Sequence, residues 1–174
     1  MLKVALTHDV DRTIKTYQYI THFIKALRSG NLTNALYHIL SLNNYKDVYW
    51  NFEDIISIEE NYGVRSTFFF LIESFSFMPF KPLSWKISLG RYDIHKPRIR
   101  SIINFLDNHG WEIGLHGSYE SYHNFDLIKH EKIILENIVG HSIKGIRQHY
   151  LNLDSSTWRL QKLAGFQYDS SWGY

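Results

Sequence analysis

The amino-acid sequence predicts an α/β fold, because short apolar, strand-like runs alternate with segments of helical periodicity. Such alternation is typical of a parallel sheet, either open or closed into a barrel. A second observation supports this fold: polar residues that could bind a ligand follow four of the strand-like runs. In α/β folds the carboxyl ends of the strands carry the chemistry. The length of 174 residues predicts a single domain over 1–174.

The predicted strands are runs rich in β-branched, aromatic and aliphatic residues, at 2–7, 66–72, 111–115, 144–147 and 166–169. The predicted helices have apolar residues every three or four positions, at 13–29, 32–42, 51–61, 97–109, 125–139 and 155–164. Gly30, Gly63 and Gly110 end three of these helices. The segment 73–92 contains two of the three prolines and many aromatic residues, and it is predicted to form a long loop over one end of the fold.

The composition excludes several kinds of site. The chain has no cysteine, so disulfides and thiolate metal sites are excluded, and any metal must bind His, Asp or Glu. The net charge of +2 and the lack of a basic run argue against nucleic acid as a partner. No apolar stretch has the ~20 residues needed to cross a bilayer, and the N-terminus lacks the pattern of a secretory signal. The sequence therefore predicts a cytoplasmic protein without a membrane span.

Two carboxylates, Asp9 and Asp11, follow the first predicted strand. Side chains alternate across a strand, so both carboxylates leave on the same face. Two like charges this close repel each other, and one takes up a proton unless a cation or a partner relieves them. The pair is therefore a candidate for metal binding or acid–base chemistry, although Asp is also common in ordinary solvated turns.

Three later strand ends carry further candidates. His116 follows an apolar run, where it could be a metal ligand or a hydrogen-bonded structural histidine. Arg147 and His149 share a face if their strand continues that far. An arginine buried at the carboxyl end of a strand needs a carboxylate partner, and Asp9 is a candidate for it. An exposed arginine would form only a surface salt bridge. Asp169 ends the last predicted strand.

In their order along the chain, these elements resemble the motifs of the polysaccharide deacetylase family (carbohydrate esterase family four, the NodB homology domain). The matching pieces are Asp9-x-Asp11, His116, Arg147-x-His149-Tyr150 and Asp169. The resemblance runs over 2–174, with no motif between residues 11 and 66. It implies a distorted (β/α) barrel of the glycoside hydrolase/deacetylase type. It also implies a divalent-metal-dependent hydrolase that removes acetyl groups from N-acetylated sugars of a polysaccharide.

The resemblance implies a catalytic role for four residues. Asp9 looks like the general base; the commoner family motif has adjacent aspartates, and the spaced form is similar to a known variant. Arg147 matches the arginine that orients the base. Tyr150 matches the residue whose backbone N–H helps to hold the oxyanion. Asp169 matches a carboxylate that tunes a catalytic histidine.

The metal site implied by the resemblance departs from the family in one ligand. Asp11 and His116 match a metal-binding aspartate and the first metal-binding histidine. The family usually has a second histidine four residues after the first, where this chain has Glu120, and it has a proline where this chain has His149. We favour His149 over Glu120 as the third ligand, because Asp with two His is a normal Zn²⁺ set that leaves room for water.

The chain also departs from the family's pattern after His149. The family's general-acid histidine lies on a later strand, and no histidine follows His149 here. We therefore expect the C-terminal part of the barrel, with its general acid, to lie outside this chain, and we expect impaired activity. The expected partner is a glycan or amino-sugar substrate, and an exposed sheet edge would favour a homo-oligomer.

Two other functions remain open from the sequence. One is hydrolysis of another non-peptide C–N bond, as in a cyclic imide or ureide, at the same metal site. The other is a non-catalytic sugar-binding remnant, because fold does not fix function.

Overall fold

The computed structural model describes residues 4–41 and 49–172, and it contains a five-stranded sheet. The strands are Thr7–Val10 (β1), Thr67–Leu71 (β2), Glu112–Gly117 (β3), Gly145–Gln148 (β4) and Tyr168–Asp169 (β5). Every neighbouring pair is parallel, and the strand order follows the chain from β1 to β5. The predicted α/β class with a parallel sheet is confirmed, and the consecutive strand order is that of a (β/α) barrel.

Seven α-helices flank these strands in the part of the chain that the structure describes. They are Gln18–Arg28 (α1), Leu32–Leu40 (α2), Phe52–Asn61 (α3), Pro82–Ser88 (α4), Pro97–Asn108 (α5), Phe125–Val139 (α6) and Thr157–Leu163 (α7). None of these helices is both long and apolar enough to cross a membrane.

One apolar core joins the sheet to α3, α5 and α6. Apolar residues recur every three or four positions on these helices, and this spacing gathers them on one face. The core includes Phe52, Ile56, Phe68, Phe70, Ile103, Leu106, Leu115, Ile128, Leu135 and Ile146. The boundaries of α6 follow from its caps: the Asn124 side chain accepts a hydrogen bond from the N–H of Leu127, and Gly140 adopts a left-handed φ of 81°.

The central strands also position the candidate site. Phe69 of β2 is fully buried, and its ring lies against Gly114 of β3. A Cβ on Gly114 would lie 2.5 Å from that ring, so a larger residue would displace it. The guanidinium of Arg147 lies 4.9 Å from the centroid of the same ring. Arg147 pairs in register with His116, which brings two candidate residues side by side.

The first strand begins later than the sequence predicts. We expected it at 2–7, but β1 is Thr7–Val10, Val4 is largely exposed, and residues 2 and 3 lie outside the described residues. The neighbouring strand β2 begins only at Thr67, which pairs with Thr7, so the preceding residues have no strand beside them. Asp9 consequently lies within β1 and Asp11 one residue beyond it.

Two further predictions need correction. The predicted loop over 73–92 contains α4, a short helix that begins with Pro82 at its first position. The helix predicted over 13–29 begins only at Gln18, whose side chain accepts a hydrogen bond from the N–H of Thr16 and so occupies a backbone donor before the helix starts.

Candidate metal and catalytic site

The candidate residues gather at the carboxyl end of the sheet, around a cleft of about 440 Å³. Asp9 and Asp11 come from the end of β1, His116 from β3 and Arg147 from β4. His149 and Tyr150 belong to a short 3₁₀ turn, His149–Leu151, that follows β4 directly. The lining of the cleft includes Asp9, Asp11, His116, Arg147, His149, Tyr150 and Trp172.

Three potential metal ligands converge in this cleft. Oδ1 of Asp11 lies 3.4 Å from Nε2 of His116 and 3.4 Å from Nε2 of His149. One ligand atom from each of the three residues lies within 4.8 Å of the others. Both histidines are almost completely buried. The sequence-predicted set of Asp11, His116 and His149 is therefore brought together in space.

Hydrogen bonds fix which nitrogen of each neutral imidazole carries the proton. Nδ1 of His116 lies 2.9 Å from the backbone oxygen of Arg147, which can only accept, so Nδ1 carries the proton. Nε2 of His149 lies 3.1 Å from Nη2 of Arg91, which can only donate, so in the neutral ring the proton is on Nδ1. The unprotonated Nε2 of His116 therefore lies 3.4 Å from Oδ1 of Asp11, whereas the lone pair on Nε2 of His149 accepts the hydrogen bond from Arg91.

The donor set fits a divalent cation. Oδ1 of Asp11 is buried and has no hydrogen-bond partner among the described residues. A carboxylate oxygen and two imidazole nitrogens are donor types that Zn²⁺ binds, and the guanidinium of Arg91, 3.4 Å from Oδ1, already supplies one positive charge to them. Burial raises the pKa of Asp11, but His116, His149 and Arg91 together outweigh burial and lower it. Burial lowers the pKa of His149, which favours the neutral form of the ring that metal binding requires.

Arg91 is a site residue that the sequence analysis missed. Its Nη1 lies 3.4 Å from Oδ1 of Asp11 and donates to the backbone oxygen of Asp11 at 3.2 Å. Its Nε donates to the backbone oxygen of Ile87 at 2.6 Å, and the side chain is almost completely buried. Arg91 lies in the segment predicted to be a loop, where no periodicity marked it.

Glu73 is a second residue without a sequence signal. Its side chain is buried, and its Oε2 lies 3.5 Å from Nδ1 of His149. The same oxygen accepts a hydrogen bond from the N–H of Tyr119, and Oε1 accepts one from the N–H of Phe75. A carboxylate placed behind an imidazole in this way orients the ring and raises its basicity.

Asp9 and Arg147 form the ion pair that the sequence suggested. Nη1 of Arg147 donates to Oδ1 of Asp9 at 2.8 Å. The remaining guanidinium donors bind Ser170, with Nε on its backbone oxygen at 2.9 Å and Nη2 on its Oγ at 2.7 Å. Arg147 is therefore held from two sides, and it fixes the carboxylate of Asp9 at the rim of the cleft.

Tyr150 occupies an uncommon backbone conformation at the cleft. Tyr150 and Leu151 both have left-handed φ values, 59° and 56°. Non-glycine residues in this region are strained, and such residues cluster at functional sites. The N–H of Asn152 closes the turn on the backbone oxygen of His149 at 3.3 Å. Tyr150 lines the cleft, and the sequence analysis expected its backbone N–H to act as a donor there.

Asp169 forms no hydrogen bond with an imidazole among the described residues. Its Oδ2 accepts hydrogen bonds from Nε2 of Gln161 at 2.8 Å and from Oγ of Ser171 at 2.7 Å. Oγ of Ser171 in turn accepts from the N–H of Gln148 at 2.8 Å. Asp169 thus links β5 to α7 and to the end of β4.

Glu120 lies apart from the three converging ligands. Its Oε2 is 3.4 Å from Nε2 of His123, and both side chains are largely exposed. The geometry therefore favours His149 over Glu120 as the third ligand.

No protein-family model and no curated protein matches the chain. A solved Mycobacterium smegmatis protein, provisionally assigned as a polysaccharide deacetylase, aligns with a TM-score of 0.52 and 18% identity, over 95% of this chain and 49% of that chain. The chain therefore has the polysaccharide deacetylase fold. The fold therefore agrees with the family resemblance that the motifs indicated.

Two further solved structures align over less of the chain. The Xyl-CE4 domain of a multidomain xylanase from the hindgut metagenome of Trinervitermes trinervoides has a TM-score of 0.41 and 18% identity, over 62% of this chain and 46% of that chain. A Bacillus cereus polysaccharide deacetylase has a TM-score of 0.43 and 16% identity, over 67% of this chain and 52% of that chain. This chain spans about half the length of each of the three solved chains.

Proposed function

We propose that the chain carries the site of a metal-dependent hydrolase that removes acetyl groups from N-acetylated sugars of a polysaccharide. The observation that supports this function is the convergence of Asp11, His116 and His149, beside the ion pair of Asp9 and Arg147. We also propose that the protein is located in the cytoplasm.

Asp11, His116 and His149 would hold the metal, and zinc is the ion that this ligand set suits. A bound divalent cation polarises the acetyl carbonyl and lowers the pKa of a water molecule. Asp9 would accept the proton of the attacking water, while Arg147 holds its carboxylate in place. The backbone N–H of Tyr150 would donate to the developing oxyanion.

The substrate proposed for the cleft is a glycan or an amino sugar. The indole of Trp172 at its rim is largely exposed, and Tyr150 is partly exposed. Aromatic rings at the edge of a polar cleft present flat apolar faces to a sugar while their polar atoms remain hydrated.

Metal content and acetate release together test the proposal. The purified chain should bind roughly one zinc ion, because three protein ligands and one open position form a single catalytic site. His149→Ala should lose most of this zinc, whereas Glu120→Ala, which removes an exposed carboxylate from the same edge of the fold, should keep it. Acetate release from N-acetylated oligosaccharides should follow the zinc content. Loss of zinc in Glu120→Ala alone would assign the third ligand to Glu120.

Arg91 supports a second candidate function, a non-catalytic sugar-binding domain. Its guanidinium already supplies a positive charge to Asp11 and donates to His149. A chain that binds oligosaccharide by calorimetry, but contains no zinc and releases no acetate, would favour this candidate over the hydrolase.

A further inference from the structure

Arg91 contacts two of the three potential metal ligands. Its Nη2 lies 3.1 Å from Nε2 of His149, and its Nη1 lies 3.4 Å from Oδ1 of Asp11. The same Nε2 and Oδ1 atoms lie 3.4 Å from each other, at the point where the ligands converge. A guanidinium carries a positive charge and only donors, so it binds an imidazole lone pair and a carboxylate oxygen, as a metal ion does.

The position of Arg91 is fixed by its surroundings. The hydroxyl of the next residue, Tyr92, donates to the backbone oxygen of Val10 at 2.9 Å and accepts from the N–H of Leu71 at 2.8 Å. These bonds attach the chain beside Arg91 to the ends of β1 and β2. The Arg91 side chain is only 7% exposed, and its Nε donates to the backbone oxygen of Ile87 at 2.6 Å. The guanidinium is therefore a built part of the site.

The guanidinium and a metal ion need the same lone pair. A neutral imidazole nitrogen has one lone pair, so Nε2 of His149 can accept from Arg91 or bind a metal, but not both. Two positive charges near Oδ1 of Asp11 also repel each other, and water screens them weakly where the groups are buried. The bonds of Arg91 to the backbone oxygens of Ile87 and Asp11 do not use these ligand atoms. Arg91 can thus release His149 and keep both backbone bonds.

We propose that Arg91 is a built-in competitor of the metal, and that it regulates how far the site is filled. An ion enters only when it binds Asp11 and His149 more strongly than the guanidinium does. Zinc meets this condition better than magnesium, because zinc binds imidazole strongly whereas magnesium prefers oxygen ligands. This inference rests on the proposed hydrolase site, whose metal occupancy it concerns.

Zinc affinity, measured by competition with a chromogenic chelator, tests this role. Arg91→Met removes the charge and the hydrogen bond to His149 but keeps an unbranched apolar stem. It should bind zinc about tenfold to hundredfold more tightly than the wild type, the range expected when a hydrogen bond from a charged donor no longer has to be broken. If Arg91 served only to hold Asp11 in place, the same variant would bind zinc more weakly.

Arg98→Met is the matched control. It also removes one guanidinium from the part of the chain between β2 and β3, but this guanidinium is exposed and lies over the ring of Trp50, 3.6 Å from its centroid. Salt and water screen an exposed charge, so its zinc affinity should change by less than about twofold. Circular dichroism controls for folding of both variants.

A crystal structure of the wild-type chain with zinc gives a second readout that does not depend on a variant. Nη2 of Arg91 should then lie beyond about 3.5 Å from Nε2 of His149, outside hydrogen-bonding distance. Zinc bound at the site while this hydrogen bond persists would overturn the role of Arg91.

The zinc affinities also separate this inference from the proposed function. Equal or weaker zinc binding by folded Arg91→Met, beside a wild type that binds zinc, would overturn the competition and leave the metal site standing. If neither the wild type nor folded Arg91→Met bound zinc, the metal site itself would be wrong, and the competition with it.

Discussion

Asp9 is the residue on which the proposed proton transfer depends. Asp9→Asn keeps the shape of the side chain but removes its ability to accept a proton. We expect zinc to stay bound and acetate release to fall by about 10²–10⁴-fold. Zinc analysis and an acetate assay on the same sample measure both quantities. Asp126→Asn, which changes an exposed carboxylate of α6 outside the cleft, should alter neither.

Glu131 predicts a pH dependence of stability. It is almost completely buried, its Oε1 has no hydrogen-bond partner among the described residues, and burial raises its pKa to about 8. The folded state therefore holds a proton that the unfolded state releases near pH 4.3. The resulting stabilisation is complete at acidic pH and is lost as the pH rises toward about 8.

Urea unfolding at about pH 5, 7 and 9 should show this loss, with a slope of at most about 1.4 kcal/mol per pH unit. Glu131→Gln should flatten the slope, because the amide does not titrate. Glu136 on the same helix is the control: burial raises its pKa, but hydrogen bonds from Lys132, Ser142 and the N–H of Ile143 outweigh burial and lower it. Glu136→Gln should leave the slope over this range unchanged, and a flattened slope there would contradict the assignment to Glu131.

The sequence predicted only those site residues that lie at the ends of predicted strands. Asp9, Asp11, His116 and Arg147 lie in or directly after strands, and parallel strands bring their carboxyl ends to one edge. Arg91 and Glu73 come from the connection between β2 and α5, where neither periodicity nor spacing indicates which side chain turns inward. The bonds of Asp169 to Gln161 and Ser171 likewise depend on the packing of α7.

At the scale of elements, a single carboxylate ties α3 to β1 and to the residues that directly precede β2 and β3. Oε2 of Glu59 accepts hydrogen bonds from Nε1 of Trp111 at 2.6 Å and from Oγ and N–H of Ser66 at 3.0 and 3.1 Å, and Oε1 contacts Nε2 of His8 at 2.7 Å. Glu59→Ala would leave buried donors without an acceptor, and each such donor costs roughly 1–3 kcal/mol.

We therefore expect Glu59→Ala to lower the free energy of unfolding by about 3 kcal/mol in urea denaturation. The matched control is Glu60→Ala, one residue further along α3, where an exposed carboxylate lies 3.6 Å from Arg65. Surface pairs of this kind are worth under about 1 kcal/mol, so its effect should be small. Equal losses in the two variants would contradict the role given to Glu59.

The sequence predicted elements best where several local signals agreed. The helix over 125–139 has strong periodicity and caps at both ends, and its predicted bounds match α6. The boundaries of β1 depend instead on where its neighbour β2 begins, which is a tertiary property that no local pattern contains. The short helix α4 lies among aromatic residues and prolines, whose loop-like composition concealed it.

At the scale of the whole molecule, the proposed metal would cross-link strands that are distant along the chain. Asp11, His116 and His149 follow or end β1, β3 and β4, so an ion held by all three would bind the folded chain and not the unfolded one. Zinc at about 100 times its dissociation constant should then add about 2.7 kcal/mol to the free energy of unfolding. Calorimetry should show a higher melting temperature with zinc than with a chelator. His149→Ala should lose this difference, whereas His123→Ala, which removes an exposed imidazole outside the ligand set, should keep it. If His149→Ala kept the full difference in melting temperature between zinc and chelator, zinc would be stabilising the fold from another binding site.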